Sequence, residues 1–477
     1  MLTQCHFLYI KKKAIVNPQK MKALVPGKVY ASNMRTEFTN KQLRDMIVPL
    51  FFEQLLVMLV GIADTFFISQ AGEAAVAGVS LVNQFNTVFI YLFTALASGG
   101  AVIISQYIGN KDNDRAGEAS DQLLMFSVLF SIIIMILVLT GNRMLLALLF
   151  GNVESDVMQA CVTYLRISAY SYPALAIYNA GAAICRSIGR TDVTMYISIA
   201  SNIINVAGNT IGIFVLHAGV AGVAYPSFIA RSFSALVITY LCFRKDNGVY
   251  YTWQGIVRWN SNLLSKILRI AVPNGAENGI FQLVKVALSS IVAMFGTYQI
   301  AANGVAQSIW SLAALAGAAF GPIYITVIGQ CMGAADTDAA EFYFKKLTKL
   351  ALIFSVMWNG FVFLITPGLL HFYNMSEETV RLTIMLVIIH NIFNALAFPF
   401  SGCLGNGLRA TGDVAFTMIV SIASTIGVRL VLSYMLAVIL DMGVIGIAWA
   451  MVADWIVRAV LFIARTRSGV WKSKQII

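Results

Sequence analysis

Long apolar stretches recur along most of the chain, separated by short polar segments. A helix needs about 20 mainly apolar residues to cross the hydrocarbon core of a bilayer. The pattern therefore predicts an all-α integral membrane protein with twelve transmembrane helices. The apolar windows fall near residues 46–68, 78–108, 121–140, 159–184, 191–216, 219–243, 266–295, 299–330, 347–366, 380–405, 412–438 and 443–464.

The composition agrees with this pattern. Of the 477 residues, 58% are hydrophobic and only 12% are charged, whereas soluble domains average about 25% charged residues. The net charge of +11 would suggest a nucleic-acid partner unless the positions of the charges give it another meaning.

Those positions follow the predicted topology. Twenty-six of the 33 Lys and Arg residues fall in the N-terminal segment, in alternate connections or in the C-terminal tail, whereas the opposite loops hold Arg143 and Arg381. Because basic loops remain on the cytoplasmic side, we expect a multi-pass protein of the cell membrane with both termini cytoplasmic. Topology then explains the positive charge, and no nucleic-acid partner is expected.

The two halves of the chain resemble each other at a constant offset in residue number, equal to the sequence separation of Glu53 and Glu277. At the same offset, the loop Gly109-x-x-Asp112-x-Asp114 matches the loop that begins at Gly333. Each half holds six helices, an even number, so both halves have the same orientation, as in transporters built from parallel repeats. We predict a cytoplasmic N-terminal segment at 1–45 (of which 1–33 is a disordered extension), an N-lobe at 46–243, a cytoplasmic connector at 244–265, a C-lobe at 266–464 and a cytoplasmic tail at 465–477.

Several motifs occur in matching places in both halves. Helix 1 carries Pro49-x-x-x-Glu53 and then Gly61-Ile-Ala-Asp64-Thr65, and helix 7 carries Pro273-x-x-x-Glu277 followed by Phe281-Gln282. Cys185-Arg186-Ser-Ile-Gly189 and Gly407-Leu-Arg409-Ala-Thr-Gly412 follow helices 4 and 10. In this order and spacing, residues 40–465 resemble the multidrug and toxic compound extrusion (MATE) family.

The resemblance implies a two-lobed antiporter with twelve helices and no enzymatic activity. It would export amphipathic or cationic organic compounds in exchange for H+ or Na+. The expected partners are small organic molecules and membrane lipids, and the expected state is a monomer. No organic cofactor and no catalytic residue or metal site are expected; the six cysteines are scattered, without metal-ligand spacing.

Ionisable side chains inside the membrane are the first candidates for function, because each costs about 2.5–3.5 kcal/mol at mid-bilayer on insertion scales. Asp64 follows Glu53 on helix 1 by close to three full turns, so both carboxylates lie within about 20° of the same face of the helix. A coupling role for Asp64 competes with a simpler one, in which Asp64 caps the outer end of the helix.

Helix 5 has a polar stripe, with Ser198, Asn202, Asn205 and Asn209 at spacings of 4, 3 and 4. The resemblance implies a cation-coupling site made of Asp64, Asn205, Asn209 and Ser227. Asn209 stands where the family has an aspartate, and Ser227 where it has a threonine. The site thus has one carboxylate fewer, which favours H+ over Na+ as the coupling ion.

The predicted C-lobe departs further from the family, since 390–402 contains no acid where some relatives carry one on helix 10. Glu277 either pairs with Lys285 or faces the substrate. Glu53, Glu277, Gln282 and Lys285 are candidates for lining the substrate cavity or for coupling it to conformational change. Asp454 and Arg458, one helical turn apart on helix 12, are expected to pair.

Two other functions are compatible with parts of this pattern. A lipid-linked oligosaccharide flippase of the same superfamily would share the two lobes but carry fourteen helices and a more basic cavity, so Arg166, Arg231 and Arg429 would face that cavity. A membrane enzyme would need clustered acids or histidines at one face, and the sequence has no P-loop, HExxH motif or nucleophile elbow.

Overall fold

In the computed structural model, the described residues, 36–477 except 152, 372, 374 and 475, form twelve long helical segments. The predicted disordered extension, 1–33, lies outside the described residues. The N-lobe contains α1 (Asn40–Ser69), α2 (Glu73–Gly109), α3 (Asn113–Phe150), α4 (Ser155–Tyr170 and Tyr172–Ser187), α5 (Thr191–Val215) and α6 (Ala221–Cys242).

The C-lobe repeats this order after a short helical turn at Trp253–Val257. Within the described residues, ten of the twelve segments are long and apolar enough to cross a membrane. The other two are α4, which is broken at Ser171, and α7, which carries four charged side chains. The C-lobe helices are α7 (Ser261–Val292), α8 (Thr297–Gly333), α9 (Thr337–Leu370), α10 (Glu377–Ala410), α11 (Val414–Ile439) and α12 (Gly443–Ser468).

The repeated loop motif has a structural cause. Asp112 and Asp336, which the repeat pairs, each cap the next helix by accepting a hydrogen bond from the backbone N–H of Arg115 or Ala339, at 3.1 and 2.9 Å. The residues before the two aspartates both have positive φ. The same tight turn thus joins α2 to α3 and α8 to α9.

The connector between the lobes is fixed to the N-lobe by polar contacts with the start of α3. Asp121 accepts hydrogen bonds from the backbone N and the hydroxyl of Thr252, at 2.9 and 2.7 Å. Gln122 Nε2 donates to the Arg258 carbonyl at 2.6 Å, and Gln122 Oε1 accepts from the Asn260 backbone N at 2.9 Å. These bonds hold the connector against α3.

The two lobes are joined on the side that holds the start of α1 and the end of α12, here called the terminal side. Two hydrophobic clusters cross between the lobes there: one packs the start of α1 against α8 and α9, and the other packs α2 against the start of α7. On the opposite side each lobe has a separate core. The lobes are therefore closed on the terminal side and apart on the other.

Two equivalent hydrogen bonds also join the lobes on the terminal side, at the contact here called the closed seam. Gln106 Nε2 on α2 donates to the Ala410 carbonyl at the end of α10, and Gln330 Nε2 on α8 donates to the Ser187 carbonyl at the end of α4, both at 2.8 Å. The glycines at the ends of α2 and α8 allow the approach, because a Cβ on either would overlap the backbone of the glutamine opposite.

Replacing Gly333 with alanine should open the terminal side, because the new Cβ would clash with the Gln106 backbone, which cannot rotate away. Spin labels at Leu216 and Leu440, both exposed just beyond α5 and α11, would report the separation of the lobes on the opposite side. We expect a new population at shorter distance in Gly333→Ala. Gly304→Ala on the same helix, where a Cβ meets nothing within 4 Å, should match the wild type. An identical distribution in all three would contradict this role for the seam.

Candidate functional site

A cavity of about 340 Å³ lies within the N-lobe between α1, α5 and α6. Glu53 and Asp64 both line it, as their spacing on α1 predicts, and so do Asn205, Ser227 and Arg231. Asp64 is half-buried, whereas Asn205 is buried. The cavity therefore brings one face of α1 against the polar stripe of α5.

The four residues of the predicted coupling site form one hydrogen-bonded chain. Asn209 Nδ2 donates to Asp64 Oδ1 at 2.6 Å and to Asn205 Oδ1 at 3.1 Å. Asn205 Nδ2 in turn donates to Ser227 Oγ at 3.0 Å. The structure thus places Asp64, Asn205, Asn209 and Ser227 together, and it does not place Asp64 as a helix cap, since α1 continues to Ser69.

The chain of amides has unused hydrogen-bonding capacity. Asn209 is fully buried, and its Oδ1 has no partner among the described residues; the same holds for the Asn202 Nδ2 group on this stripe. Buried amides without partners are costly, so the site is suited to receive a further donor or cation. One carboxylate, amide oxygens and a hydroxyl are hard oxygen ligands.

Glu53 lies in a different environment from Asp64. Its carboxylate pairs with Arg186 at 2.6 Å and accepts a hydrogen bond from the Thr194 hydroxyl at 2.7 Å. Tyr178 OH donates a longer bond, at 3.3 Å. Only 3% of Glu53 is exposed, so its charge is compensated at the base of the cavity, where α4 meets α1.

The predicted Glu277–Lys285 pair is wrong, because Glu277 pairs with Arg409 instead. A substrate-facing role for Glu277 stays a prediction. Both Glu277 carboxylate oxygens accept from Arg409 Nη2 at 2.6 Å. This repeats the Glu53–Arg186 pair in the other lobe, and the two arginines order their turns through these ion pairs. The geometric reason is that Arg409 reaches back from the end of α10 toward the middle of α7. The paired glutamates and paired arginines of the two halves were a sequence signal for this partnership.

Gln282 and Lys285 lie about one turn apart on α7, in different surroundings. Gln282 is half-buried, whereas Lys285 lines a second cavity of about 250 Å³ inside the C-lobe, together with His390 and Arg429. Among the described residues, no acidic side chain pairs with Lys285.

The predicted Asp454–Arg458 pair is present, at 2.7 Å, but it belongs to a larger network that the sequence analysis missed. Arg429 on α11 also contacts Asp454, at 2.9 Å, and the Asp454 carboxylate is completely buried. Helical spacing predicts pairs within one helix, and it contains no information on a partner from the neighbouring helix.

Asp64 therefore differs from Glu53, Glu277 and Asp454. Glu53, Glu277 and Asp454 each contact a guanidinium group, whereas no ion pair to Asp64 is found in the described part of the chain. The described residues also hold no cluster of three His, Cys, Asp or Glu side chains suited to a metal ion. A cation at this site would meet a single negative charge.

Of the two features that would distinguish a flippase, the helix count favours the exporter and the positions of the arginines are mixed. The helix count among the described residues is twelve, which matches the exporter. Arg231 and Arg429 line the N-lobe and C-lobe cavities, whereas Arg166 is exposed and lines neither. One basic residue lines the N-lobe cavity with two acids, whereas the side chains that line the C-lobe cavity include Lys285 and Arg429 and no acid.

Comparison with known proteins agrees with the two-lobed arrangement. The family model described as MatE matches residues 49–211 and again residues 273–435. The two matches start at Pro49 and Pro273, which are the positions that the internal repeat of the sequence pairs.

Two relatives are similar over nearly their whole length. The protein named Uncharacterized transporter YisQ, from Bacillus subtilis, is 28% identical over 430 residues, which cover 89% of this chain and 94% of that protein. The Probable multidrug resistance protein NorM of Thermotoga maritima is 24% identical over 443 residues, covering 92% and 94%.

Solved structures have the same fold. One described as the outward-facing conformation of a multidrug resistance MATE family transporter of the MOP superfamily aligns with a TM-score of 0.82. The aligned residues are 20% identical and cover 90% of this chain and 95% of that one.

Proposed function

Because this chain belongs to the MatE family, whose model matches both of its halves, we propose that it is an antiporter that exports amphipathic or cationic organic compounds in exchange for protons. Relatives named as multidrug resistance and toxin extrusion proteins support the export of small organic molecules. The observation that carries the proposal is the Asp64 carboxylate, which lies in a cavity with amide and hydroxyl partners, and to which no cationic side chain of the described residues is bonded.

The surroundings of Asp64 favour a proton over a sodium ion. Sodium, like other hard cations, is held by several oxygen ligands, and negative charge among them strengthens binding. Here Asn209 presents Nδ2, a donor, to Asp64, and the second carboxylate of the family's site is absent. A proton needs one carboxylate and a neighbour that can bond to either protonation state, which asparagine does.

The proposed cycle links this site to the closed seam. Protonation removes the negative charge of Asp64 and changes its bond with Asn209, which favours a different packing of α1 against α5. Since the start of α1 also packs against α8 and α9 across the lobes, a shift in α1 would bias the seam between closed and open. A released proton would reverse that bias.

Separate ion gradients across proteoliposomes test the coupling ion. The purified chain should transport a fluorescent organic cation against its gradient when a pH gradient is imposed, and an equal sodium gradient at constant pH should not drive transport. Transport that follows the sodium gradient alone would replace the proton assignment with a sodium one. Transport without either gradient would contradict antiport.

The orientation of the chain follows from its basic residues, and we propose that the terminal side is cytoplasmic. Reporter fusions after residues 70 and 218, which lie beyond α1 and α5, should read external. Fusions near residue 112, just beyond α2, and near residue 250, in the connector after α6, should read cytoplasmic. In that orientation the observed state opens outward, and the inverse reporter pattern would overturn the assignment.

A further inference from the structure

The C-lobe cavity differs from the N-lobe cavity at equivalent positions of the repeat. Residues that the repeat pairs line both cavities, and the chemistry changes between them. The cavity position that holds Asp64 in the N-lobe is apolar in the C-lobe. Two positions that are uncharged in the N-lobe are cationic in the C-lobe. The equivalent pairs are Gly61 and Lys285, Asp64 and Leu288, Asn205 and Arg429, and Ser227 and Met451.

Positive charge exceeds negative charge around this cavity. The Asp454 carboxylate is shared by Arg429 and Arg458, at 2.9 and 2.7 Å, and its other oxygen accepts from the Ser424 hydroxyl at 2.6 Å. One acid thus compensates two guanidinium groups, and Lys285 has no acidic partner in the described part of the chain. Charge inside a membrane protein is costly unless it meets a counter-charge or water, and the exposed Lys285 side chain is open to either.

Several buried polar atoms around the cavity lack partners. Arg429 is 4% exposed and His390 is 1% exposed, and both line the cavity. Arg429 Nε, His390 Nδ1 and Trp310 Nε1 have no hydrogen-bond partner among the described residues. Since Arg and Trp groups can only donate, the missing partner is an acceptor.

The remaining walls suit the organic part of a ligand. Phe281 lies beneath the Arg429 guanidinium, with 5.1 Å from Cζ to the ring centroid, and Trp310 stacks on Trp455 with centroids 6.0 Å apart. Met451 adds a flexible apolar surface. Cationic groups beside aromatic ones match an amphipathic molecule that has an anionic head.

We propose that the C-lobe cavity binds an amphipathic organic molecule through its anionic oxygen group, a carboxylate or phosphate. Lys285 and Arg429 are the residues that contact this group. This inference rests on the proposed export of organic molecules, and it adds compounds that carry an anionic group to the cationic ones in the substrate class. The group is supplied either by a soluble organic anion or by an anionic lipid headgroup.

Equilibrium binding to the purified full chain in a non-ionic detergent tests the site without any ion gradient. Fluorescein and rhodamine 6G share a ring system but differ in the sign of their charge, so fluorescence polarisation compares the anion with the cation. Lys285→Gln should weaken fluorescein binding by roughly tenfold or more, the usual cost of losing one bond to a charged group, and leave rhodamine 6G binding unchanged. Lys285→Arg should restore the affinity.

Arg143→Gln is the matched control, because Arg143 is an exposed cation on α3 outside both cavities. It should bind fluorescein as the wild type does. Nanodiscs of phosphatidylcholine with or without phosphatidylglycerol distinguish the source of the group: competition by phosphatidylglycerol identifies a lipid headgroup, and undiminished fluorescein binding identifies a soluble anion. Either result supports an anion site.

Absent fluorescein binding in the wild type, or equal affinity in Lys285→Gln, would overturn the inference. The proposed function fails on a separate observation, the absence of gradient-driven transport. Proton-driven export of rhodamine 6G with no fluorescein site would leave the antiporter intact, and a Lys285-dependent fluorescein site without gradient-driven transport would leave the binding site intact.

Discussion

Glu53→Gln should lower the free energy of unfolding by about 3 kcal/mol, and with it the unfolding temperature. This value is the lower end of the cost of removing one partner from a buried ion pair. The Arg186 side chain would keep its charge while 22% exposed, and it would lose a 2.6 Å contact that fixes the end of α4 beside α1. The measurement is the unfolding midpoint in detergent. Transport per folded molecule should fall less than in a variant of Asp64.

Two further variants separate charge imbalance from general disturbance. Glu73→Gln, at an exposed position in the first turn of α2, should melt as the wild type does. Combining Glu53→Gln with Arg186→Met removes both charges and should recover part of the lost stability. A midpoint unchanged by Glu53→Gln alone would mean that the pair contributes nothing to holding the N-lobe together.

The fold could be predicted largely from the sequence because two independent patterns agree. Apolar windows fix the number of helices, and the repeat fixes their order, so each predicted window coincides with a helix of the structure. Helix lengths were less predictable: α9 begins at Thr337, well before its predicted window at 347–366, and α12 runs to Ser468, into the predicted tail. Polar ends that extend beyond the lipid have no hydropathy signal.

The candidate sites were predictable where one helical face carries the information. The stripe on α5 offered a polar partner surface for α1, and the resemblance to the MATE family then selected Asp64, Asn205 and Asn209 as residues that meet. Pairing between distant helices was not predictable in this way. The arginine partners of Glu277 and Asp454 depend on how close the helices pack, and periodicity within one helix does not determine that.

Asp64→Asn should abolish coupled transport while leaving the fold intact. The amide has the size of the carboxylate and can still accept the hydrogen bond from Asn209 Nδ2, so the chain through Asn205 to Ser227 is kept. It cannot gain or lose a proton in the working range of pH. Because Glu53 remains in its ion pair with α4, no other acid in the N-lobe cavity is free to replace it.

Asp156→Asn is the control for this variant, since Asp156 is an exposed acid in the first turn of α4. The Asp156→Asn protein should insert into the membrane, purify and transport substrate as the wild type does. Both variants should reach the membrane at normal levels, as measured by surface quantification, so that any loss in Asp64→Asn is a loss of coupling.

The rate of pH-gradient-driven transport of an organic cation, in proteoliposomes with equal amounts of reconstituted protein, tests the coupling role of Asp64 most directly. We predict that Asp64→Asn reduces the rate to that of protein-free vesicles, whereas Asp156→Asn keeps the wild-type rate. Wild-type transport by Asp64→Asn, together with a loss in Glu53→Gln or Glu277→Gln, would contradict this account and place the coupling carboxylate in an ion pair.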